Sequence, residues 1–381
     1  MSAKVVAALA RRHIHAPFAI QSLVLADAIA GRDVLAQSRT GSGKTLAFAV
    51  PIVERLSPRG RPAALVLVPT RELANQVTEE FRGIAAARGL SAAAVYGGVG
   101  IANQVKAARR ADILVATPGR LLDLLRRRLL RLNHVAICVL DEADRMLDMG
   151  FLPDVRDILS VLPEKRQTML FSATLDGEVD RLAARFTHDA LRHEITDPRP
   201  VVSEAVHRFV AVATGDKLDA LARELAGERG PTLVFVRTKR GADRLARNLV
   251  ARGFGAQALH GDMSQPARER AVRRFASGAV DIMAATDVAA RGLDLEHISH
   301  VVNFDLPGDE KAYIHRVGRT ARAGRTGTGI TFVTTDQQPE MAKMAKLLDL
   351  EREFAAAGLP DGRRPQPRSN PRSRSRSRRR R

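Results

Sequence analysis

Thr40-Gly41-Ser42-Gly43-Lys44-Thr45 and Asp141-Glu142-Ala143-Asp144 each follow a short apolar run. In this order, these residue types can hold and cleave a nucleoside triphosphate. Glycines between a strand and a helix let backbone N–H groups close around phosphate oxygens, while Lys44 reaches the outer phosphates and the Thr45 hydroxyl ligates Mg²⁺. Asp141 offers the same ion a hard oxygen ligand, and Glu142 beside it can orient or deprotonate the attacking water. The candidate phosphate loop is Ser38, Arg39, Thr40, Gly41, Ser42, Gly43, Lys44 and Thr45, with Ser38 standing where the strict pattern has its first glycine. A glycine-rich turn or a polar strand end is common by itself. Both together, each behind a buried strand, point to a phosphate-binding α/β fold.

Such residues need parallel strands to aim them. Short β-branched runs alternate with Ala/Leu/Arg-rich segments of helical period, and the alternation occurs twice. The first set of strands is predicted at 34–36, 64–68, 93–96, 113–116, 135–140 and 168–171; the second at 209–212, 233–236, 256–259, 282–285, 301–304 and 330–333. Near-continuous apolar strands with helical crossovers imply two parallel sheets covered on both faces. Pro198 and Pro200 interrupt the pattern between them. The expected organisation is a first α/β domain over 1–195, a linker at 196–205, a second domain over 206–350 and a basic tail at 351–381, disordered from about 362.

Composition agrees with two cores and an anionic partner. A chain of 381 residues exceeds one ordinary core, and with 4% aromatics and no Trp its packing falls to Ala, Val and Leu. The single cysteine, Cys138, precludes an intrachain disulfide and reads as a small buried apolar residue. Net charge is +19, and residues 363–381 hold ten arginines with no acidic residue, which favours nucleic acid over membrane. No run of 18 apolar residues predicts a membrane span. The opening Met1 to Ala10 reads as an amphipathic helix rather than a leader, and the expected location is cytoplasmic.

Ligands in open parallel sheets bind beyond the carboxyl ends of strands. There the first half of the chain places Pro69 to Ala74, Tyr96-Gly97-Gly98, Thr117-Pro118-Gly119-Arg120, Asp141 to Asp144 and Ser172-Ala173-Thr174. The second half places Arg237-Thr238-Lys239, His260-Gly261-Asp262, Thr286-Asp287, Arg291 to Asp294 and His315 to Arg322. This ordered set resembles the DEAD-box ATP-dependent RNA helicases of superfamily 2 over residues 13–335, and Asp144 to Phe151 is similar in wording to the bacterial RNA helicase E subgroup.

The resemblance implies two tandem RecA-like domains and a set of roles. Gln21 would read the adenine edge, Asp294 would contact the ribose, and Arg319 and Arg322 would cross from the second domain to the γ-phosphate. Guanidinium groups there stabilise charge on the phosphoryl oxygens in the transition state. His315 would couple that segment to Asp144, Ser172 and Thr174. RNA contacts would come from Arg71, Gly98, Thr117 and Arg120 in the first domain, and from Thr238, Gln265, Arg268 and Thr286 in the second. Small hydroxyls and glycine amides suit close approach to a single-strand backbone, and 2′-hydroxyls distinguish RNA from DNA. An adenine-stacking aromatic would lie upstream of His13, ahead of the first residue given. His13 and Ala321 stand where the family often has glycine, and alanine is small enough that little effect is expected. Met146, Met149 and Phe151 read as packing behind the sheet.

The expected activity is RNA-stimulated ATP hydrolysis that opens short duplexes or remodels ribonucleoprotein, using ATP and Mg²⁺. Its partners would be single-stranded and short duplex RNA with little base specificity, possible ribosomal or RNA-decay proteins, and no membrane, for a monomer. An ATP-gated RNA clamp with little unwinding is the alternative. A DNA-directed translocase shares the triphosphate core but not the wording of the acidic motif. The arginine-rich tail reads as a non-specific RNA tether.

Overall fold

The computed structural model describes residues 1–38, 42–57, 60–195, 205–227, 229–290, 298–321 and 326–359. In the first domain the strands are Val34–Gln37 (β1), Ala64–Leu67 (β2), Ala92–Val95 (β3), Ile113–Ala116 (β4), Ile137–Asp141 (β5), Gln167–Ser172 (β6) and Leu191–Glu194 (β7). Its helices are Ala3–Ala10 (α1), Ala19–Ala30 (α2), Lys44–Arg55 (α3), Arg71–Ala85 (α4), Ile101–Ala108 (α5), Pro118–Arg126 (α6), Ala143–Asp148 (α7), Leu152–Ser160 (α8) and Gly177–Phe186 (α9). All strands pair in parallel, in the order β3-β4-β2-β5-β6-β1-β7.

The second domain has strands Ala205–Ala211 (β8), Thr232–Phe235 (β9), Ala256–Leu259 (β10), Ile282–Ala285 (β11), His300–Asn303 (β12) and Gly327–Val333 (β13). Its helices are Lys217–Ala226 (α10), Lys239–Ala251 (α11), Gln265–Ala276 (α12), Asp287–Ala290 (α13), Glu310–Val317 (α14), Gln338–Leu347 (α15) and Glu351–Ala356 (α16). Again every pairing is parallel, in the order β10-β11-β9-β12-β13-β8.

Burial explains why the strands form where they do. Every residue of β2, β4, β5, β6, β9 and β11 is buried, as sheets covered by helices on both faces require. Aliphatic side chains do most of the packing, joined by a few phenylalanines such as Phe48 against Phe171 at 5.3 Å between ring centroids. Met146 is buried behind the sheet with Phe151 packed beside it, and Cys138 lies fully buried in β5. In the first sheet β1 and β5 both flank β6, so the turn after β1 and the carboxylates after β5 open on one edge, about 10 Å apart at the usual strand spacing.

Three boundaries differ from expectation. β7 was not anticipated: its Leu191, Arg192, His193, Glu194 alternate half-buried and exposed at a sheet edge, so no apolar run marks it. Ala205, expected in the linker, already pairs with Gly327, while 196–204 lie outside the described residues. The expected tail from 351 is packed at its start, because α16 buries Phe354 and Leu359 buries just beyond it, with Phe209, Tyr313 and Met341 in the same cluster. A helix of six residues is too short to show a period. The rest of the tail, 360–381, lies outside the described residues.

Candidate functional site

The phosphate turn is tied to the helix that precedes β1. Gly43, at φ 81, starts α3 in a left-handed conformation that an L side chain adopts only with strain. A Cβ there would come within 2.6 Å of Gln21 Nε2 and 2.7 Å of Phe18 Cδ2. Gln21 is buried; its Nε2 donates to the Gly43 carbonyl at 2.8 Å, and its Oε1 accepts from the Phe18 N–H at 3.0 Å. The amide expected at the adenine edge therefore also braces the phosphate turn. Phe18, which sequence reasoning passed over, caps this arrangement while remaining 60% exposed.

Lys44 opens α3, and its Nζ donates to the Ser38 carbonyl at 2.8 Å; the Ser38 and Ser42 hydroxyls are 3.0 Å apart. Thr45 follows on the same turn, half-buried. Arg39, Thr40 and Gly41 lie outside the described residues.

The carboxylates at the end of β5 are buried but differently balanced. Burial pushes the Asp141 carboxyl up to about 7; Lys44 opposes that rise, and Glu142 adds to it. Its oxygen accepts from the Glu142 N–H at 3.0 Å. A buried carboxylate that resists its own charge suits a divalent cation, which lowers that penalty, so Asp141 and the Thr45 hydroxyl fit Mg²⁺. For Glu142, burial would raise the pKa, yet Arg145, Lys44 and Arg319 together hold it below the ordinary value. Arg145 Nη1 donates directly to Glu142 Oε2, a contact no motif reading had flagged. Glu142 itself sits at φ 53, a left-handed conformation costly for a non-glycine residue and common at active sites.

Asp144 links α7 to β6: its N–H donates to Ser172 Oγ at 3.2 Å, and its Oδ2 accepts from the Ala173 N–H at 3.3 Å. Thr174 follows, half-buried. On the facing domain His315 is half-buried on α14, and its carbonyl accepts from Arg319 Nε at 3.2 Å. Arg319 is 7% exposed, and its charge reaches Glu142 on the other domain. Arg322 and Asp294 lie outside the described residues.

Of the residues expected on RNA, Arg71, Gly98 and Arg120 gather in the first domain, and Gln265 and Arg268 meet that group from the second. Arg71 begins α4 after Thr70, whose Oγ1 accepts from the Leu73 N–H. Burial lowers the Arg71 pKa; Glu72 opposes, and the positive charges of Arg268 and Arg120 lower it further. Three guanidiniums thus crowd one spot that a phosphate would relieve. Gly98, at φ 84, lies against the Arg71 guanidinium so closely that any side chain would displace it. Arg120 Nη1 donates to the Val99 carbonyl and Gln104 Oε1, both at 3.2 Å, and Gln104 Nε2 donates to the Tyr96 carbonyl at 3.0 Å. Gln104 thereby braces the glycine loop from α5, where its sequence position carried no signal. Thr117 and Thr286 are buried at helix starts, while Thr238 is exposed and caps α11 through the Gly241 N–H.

Gln265 and Arg268 are engaged between the domains. Arg268 Nε and Nη2 both reach Glu72 Oε1, at 2.8 and 2.7 Å, and Arg268 Nη1 donates to the His260 carbonyl at 3.2 Å. Arg71 Nη1 lies 3.5 Å from Gln265 Oε1. The pair expected on RNA therefore holds the two domains together beside it.

Two family models match the chain: DEAD/DEAH box helicase over residues 18–182, and Helicase conserved C-terminal domain over 216–324. The DEAD-box ATP-dependent RNA helicase CshA of Bacillus subtilis (strain 168) is 44% identical over 319 residues, which cover 83% of this chain and 64% of that protein. CshA of Geobacillus kaustophilus (strain HTA426) is 43% identical over 338 residues, covering 88% of this chain and 72% of its own. Among solved structures, S. cerevisiae Dbp5 bound to RNA and ADP BeF3 matches with a TM-score of 0.83 at 32% identity over 92% of both chains. The expected pair of RecA-like parallel-sheet domains is borne out. Among the described residues, no helix is long and apolar enough to cross a membrane.

Proposed function

The chain belongs to the DEAD/DEAH box helicases, and we propose that it is an RNA-stimulated ATP phosphohydrolase that uses hydrolysis to open short RNA duplexes or remodel ribonucleoprotein. The observation that carries this reading is the position of Arg319, buried on the second domain yet near enough to Glu142 on the first for its charge to join those of Arg145 and Lys44 in lowering the Glu142 pKa. Hydrolysis then depends on closure. Lys44 and the turn from Ser38 to Thr45 bind the phosphates, Gln21 addresses adenine, and Asp294 contacts the ribose. Mg²⁺, when bound through Thr45 and Asp141, would neutralise charge on the phosphate oxygens. Glu142 orients the attacking water and takes its proton, and Arg319 with Arg322 stabilises the transferred phosphoryl group.

RNA coupling runs through the contacts beside the nucleotide. Arg71, Gly98, Thr117 and Arg120 hold one strand from the first domain, and Thr238 and Thr286 hold it from the second. Gln265 and Arg268 act on the same strand indirectly, by fixing the domains around it. Asp144, Ser172, Thr174 and His315 relay closure between the two ligands. The two domains extend over 1–195 and from Ala205 to about 359, the protein acts in the cytoplasm as a monomer, and the tail tethers RNA. Likeness to the RNA-bound Dbp5 structure supports this closed arrangement.

Glu142→Gln tests the assignment. It is expected to lower RNA-stimulated ATP hydrolysis by roughly 10² to 10⁴ while keeping ATP-dependent RNA binding; undiminished hydrolysis would sink the mechanism. Duplex release that follows ATP turnover in the unmodified protein supports a helicase, and turnover without release supports the clamp.

A further inference from the structure

The second sheet ends in a strand whose outer edge no described strand covers. This is β10, the terminal member of the order β10-β11-β9-β12-β13-β8. Edge strands are usually guarded by proline, lysine or a covering segment. Ala256-Gln257-Ala258-Leu259 has neither residue.

Residues of α11 and β10, with Arg274 of α12, line an open groove of about 540 Å³. Its lining includes Ala246, Ala256 and Ala258, so the small side chains leave room for larger ones from elsewhere. Val250, also in the lining, is 55% exposed. Gln257 Oε1 is buried with no hydrogen-bond partner among the described residues. Apolar volume, an unpaired strand edge and an unsatisfied acceptor in one place suit an extended peptide, which pairs by its backbone and fills pockets with alternate side chains.

Charge selects the kind of peptide. Arg247 and Arg274 are exposed on the rim, and neither forms an ion pair with a described residue. Asp243, the acidic group in the lining, already pairs with His260 at 2.9 Å. An adjoining groove of about 380 Å³ shares Asp243 and Arg247 and adds Arg240 and Arg244, which extends the basic rim. The arginine-rich end of this chain has the wrong sign to lie there. A second copy joined edge to edge would set basic rim against basic rim.

We propose that the groove between α11 and β10 docks an extended segment of a partner protein in which apolar residues alternate with acidic ones. None of the residues assigned to nucleotide or RNA lines the groove between α11 and β10, whereas Thr238, expected on RNA, lines the adjoining one; the proposal does not rest on the catalytic reading.

The test uses the full chain and three short fluorescein-labelled peptides, followed by fluorescence anisotropy. The first alternates leucine with glutamate, the second leucine with lysine, and the third repeats the first with proline at alternate positions to remove backbone N–H groups. Saturable binding of the first, at least about tenfold tighter than either control, supports the proposal. Val250→Glu should weaken it by about tenfold or more, and joint Arg247→Glu and Arg274→Glu should reverse the preference toward the lysine peptide, with melting curves unchanged. Absence of saturable binding overturns the proposal. So does an unaltered peptide affinity in both variants, or a loss of single-stranded RNA binding in the charge-reversed variant that leaves peptide binding intact.

Discussion

On the second domain's side of the cleft, Arg316 donates to both Asp287 oxygens at 2.6 and 2.8 Å, to Asn303 Oδ1 at 3.1 Å and to the Asp305 carbonyl at 2.7 Å, and it lies over Phe235. On the first domain's side, Asp141 is equally buried, yet burial lifts its pKa to about 7 despite Lys44 nearby. One wall has a closed polar network, and the other has charge that its own neighbours do not balance. A satisfied network fixes geometry; an unbalanced one has affinity left for a cation and a phosphate. Three residues beyond Arg316, Arg319 rests on the His315 carbonyl and projects its charge to Glu142. The rigid wall therefore carries the charge proposed for catalysis to the unbalanced one.

Replacing these arginines separately should break the contrast most clearly. Arg319→Ala is expected to lower RNA-stimulated turnover by about 10³ or more, since such arginines contribute 10³ to 10⁵, while melting stays close to that of the unmodified chain. Arg316→Ala should behave in the opposite sense. It strips Asp287 and Asn303 of a buried partner and should cost about 3 kcal/mol of stability, read from urea unfolding. If Arg316→Ala unfolds like the unmodified protein, the closed-network account of that wall fails.

The pairing of Glu72 with Arg268 sharpens the comparison from between the walls. Both side chains are largely buried, 13% and 9% exposed. Opening the cleft returns each to water, so the cost of removing one falls on closure rather than on folding. Arg268→Ala should raise the RNA concentration for half-maximal ATPase stimulation about tenfold, equivalent to about 1.4 kcal/mol, with melting unchanged. Adding Glu72→Gln should recover part of the loss, because the uncompensated carboxylate is then absent. No recovery in the double variant would assign Arg268 to RNA instead.

Much of this arrangement was legible because a parallel strand buried on both faces is written as an apolar run, and its ligand residues follow directly. Asp141, Glu142 and Ser172 stand at the ends of such strands, whereas Lys44 is marked by the glycine-rich turn after the half-buried β1. β7 was not legible, because an edge strand half exposed has no such run, and α16 was too short to show a period. Long-range partners were also hidden: nothing near Glu72 or Arg268 in sequence indicates that they meet, since side chains 196 positions apart are joined only by the packing of two domains. Gln21 illustrates a subtler limit. The family resemblance implies a contact with adenine, but it does not reveal that the Gln21 amide braces Gly43.

Backbone strain supplies the smallest contrast between the walls. Glu142 and Ala321 both sit at φ 53. At Glu142 the carboxylate is indispensable to the proposed chemistry, so relief by glycine would remove the function with the strain. Ala321 has no such side chain, and the expectation that alanine there has little effect meets a backbone that favours glycine. Left-handed alanine costs about 1–2 kcal/mol, and the greater chain entropy of unfolded glycine offsets about 0.5–1 kcal/mol of any gain. Ala321→Gly should therefore stabilise the chain by about 0.5 kcal/mol in urea unfolding, with hydrolysis changed by less than about twofold. Exposed His13, at φ 57, offers the same exchange away from the cleft. Should His13→Gly stabilise while Ala321→Gly lowers turnover by tenfold or more, the left-handed turn beside Arg319 would be holding that arginine in place, and the rigid wall would extend through the strained residue itself.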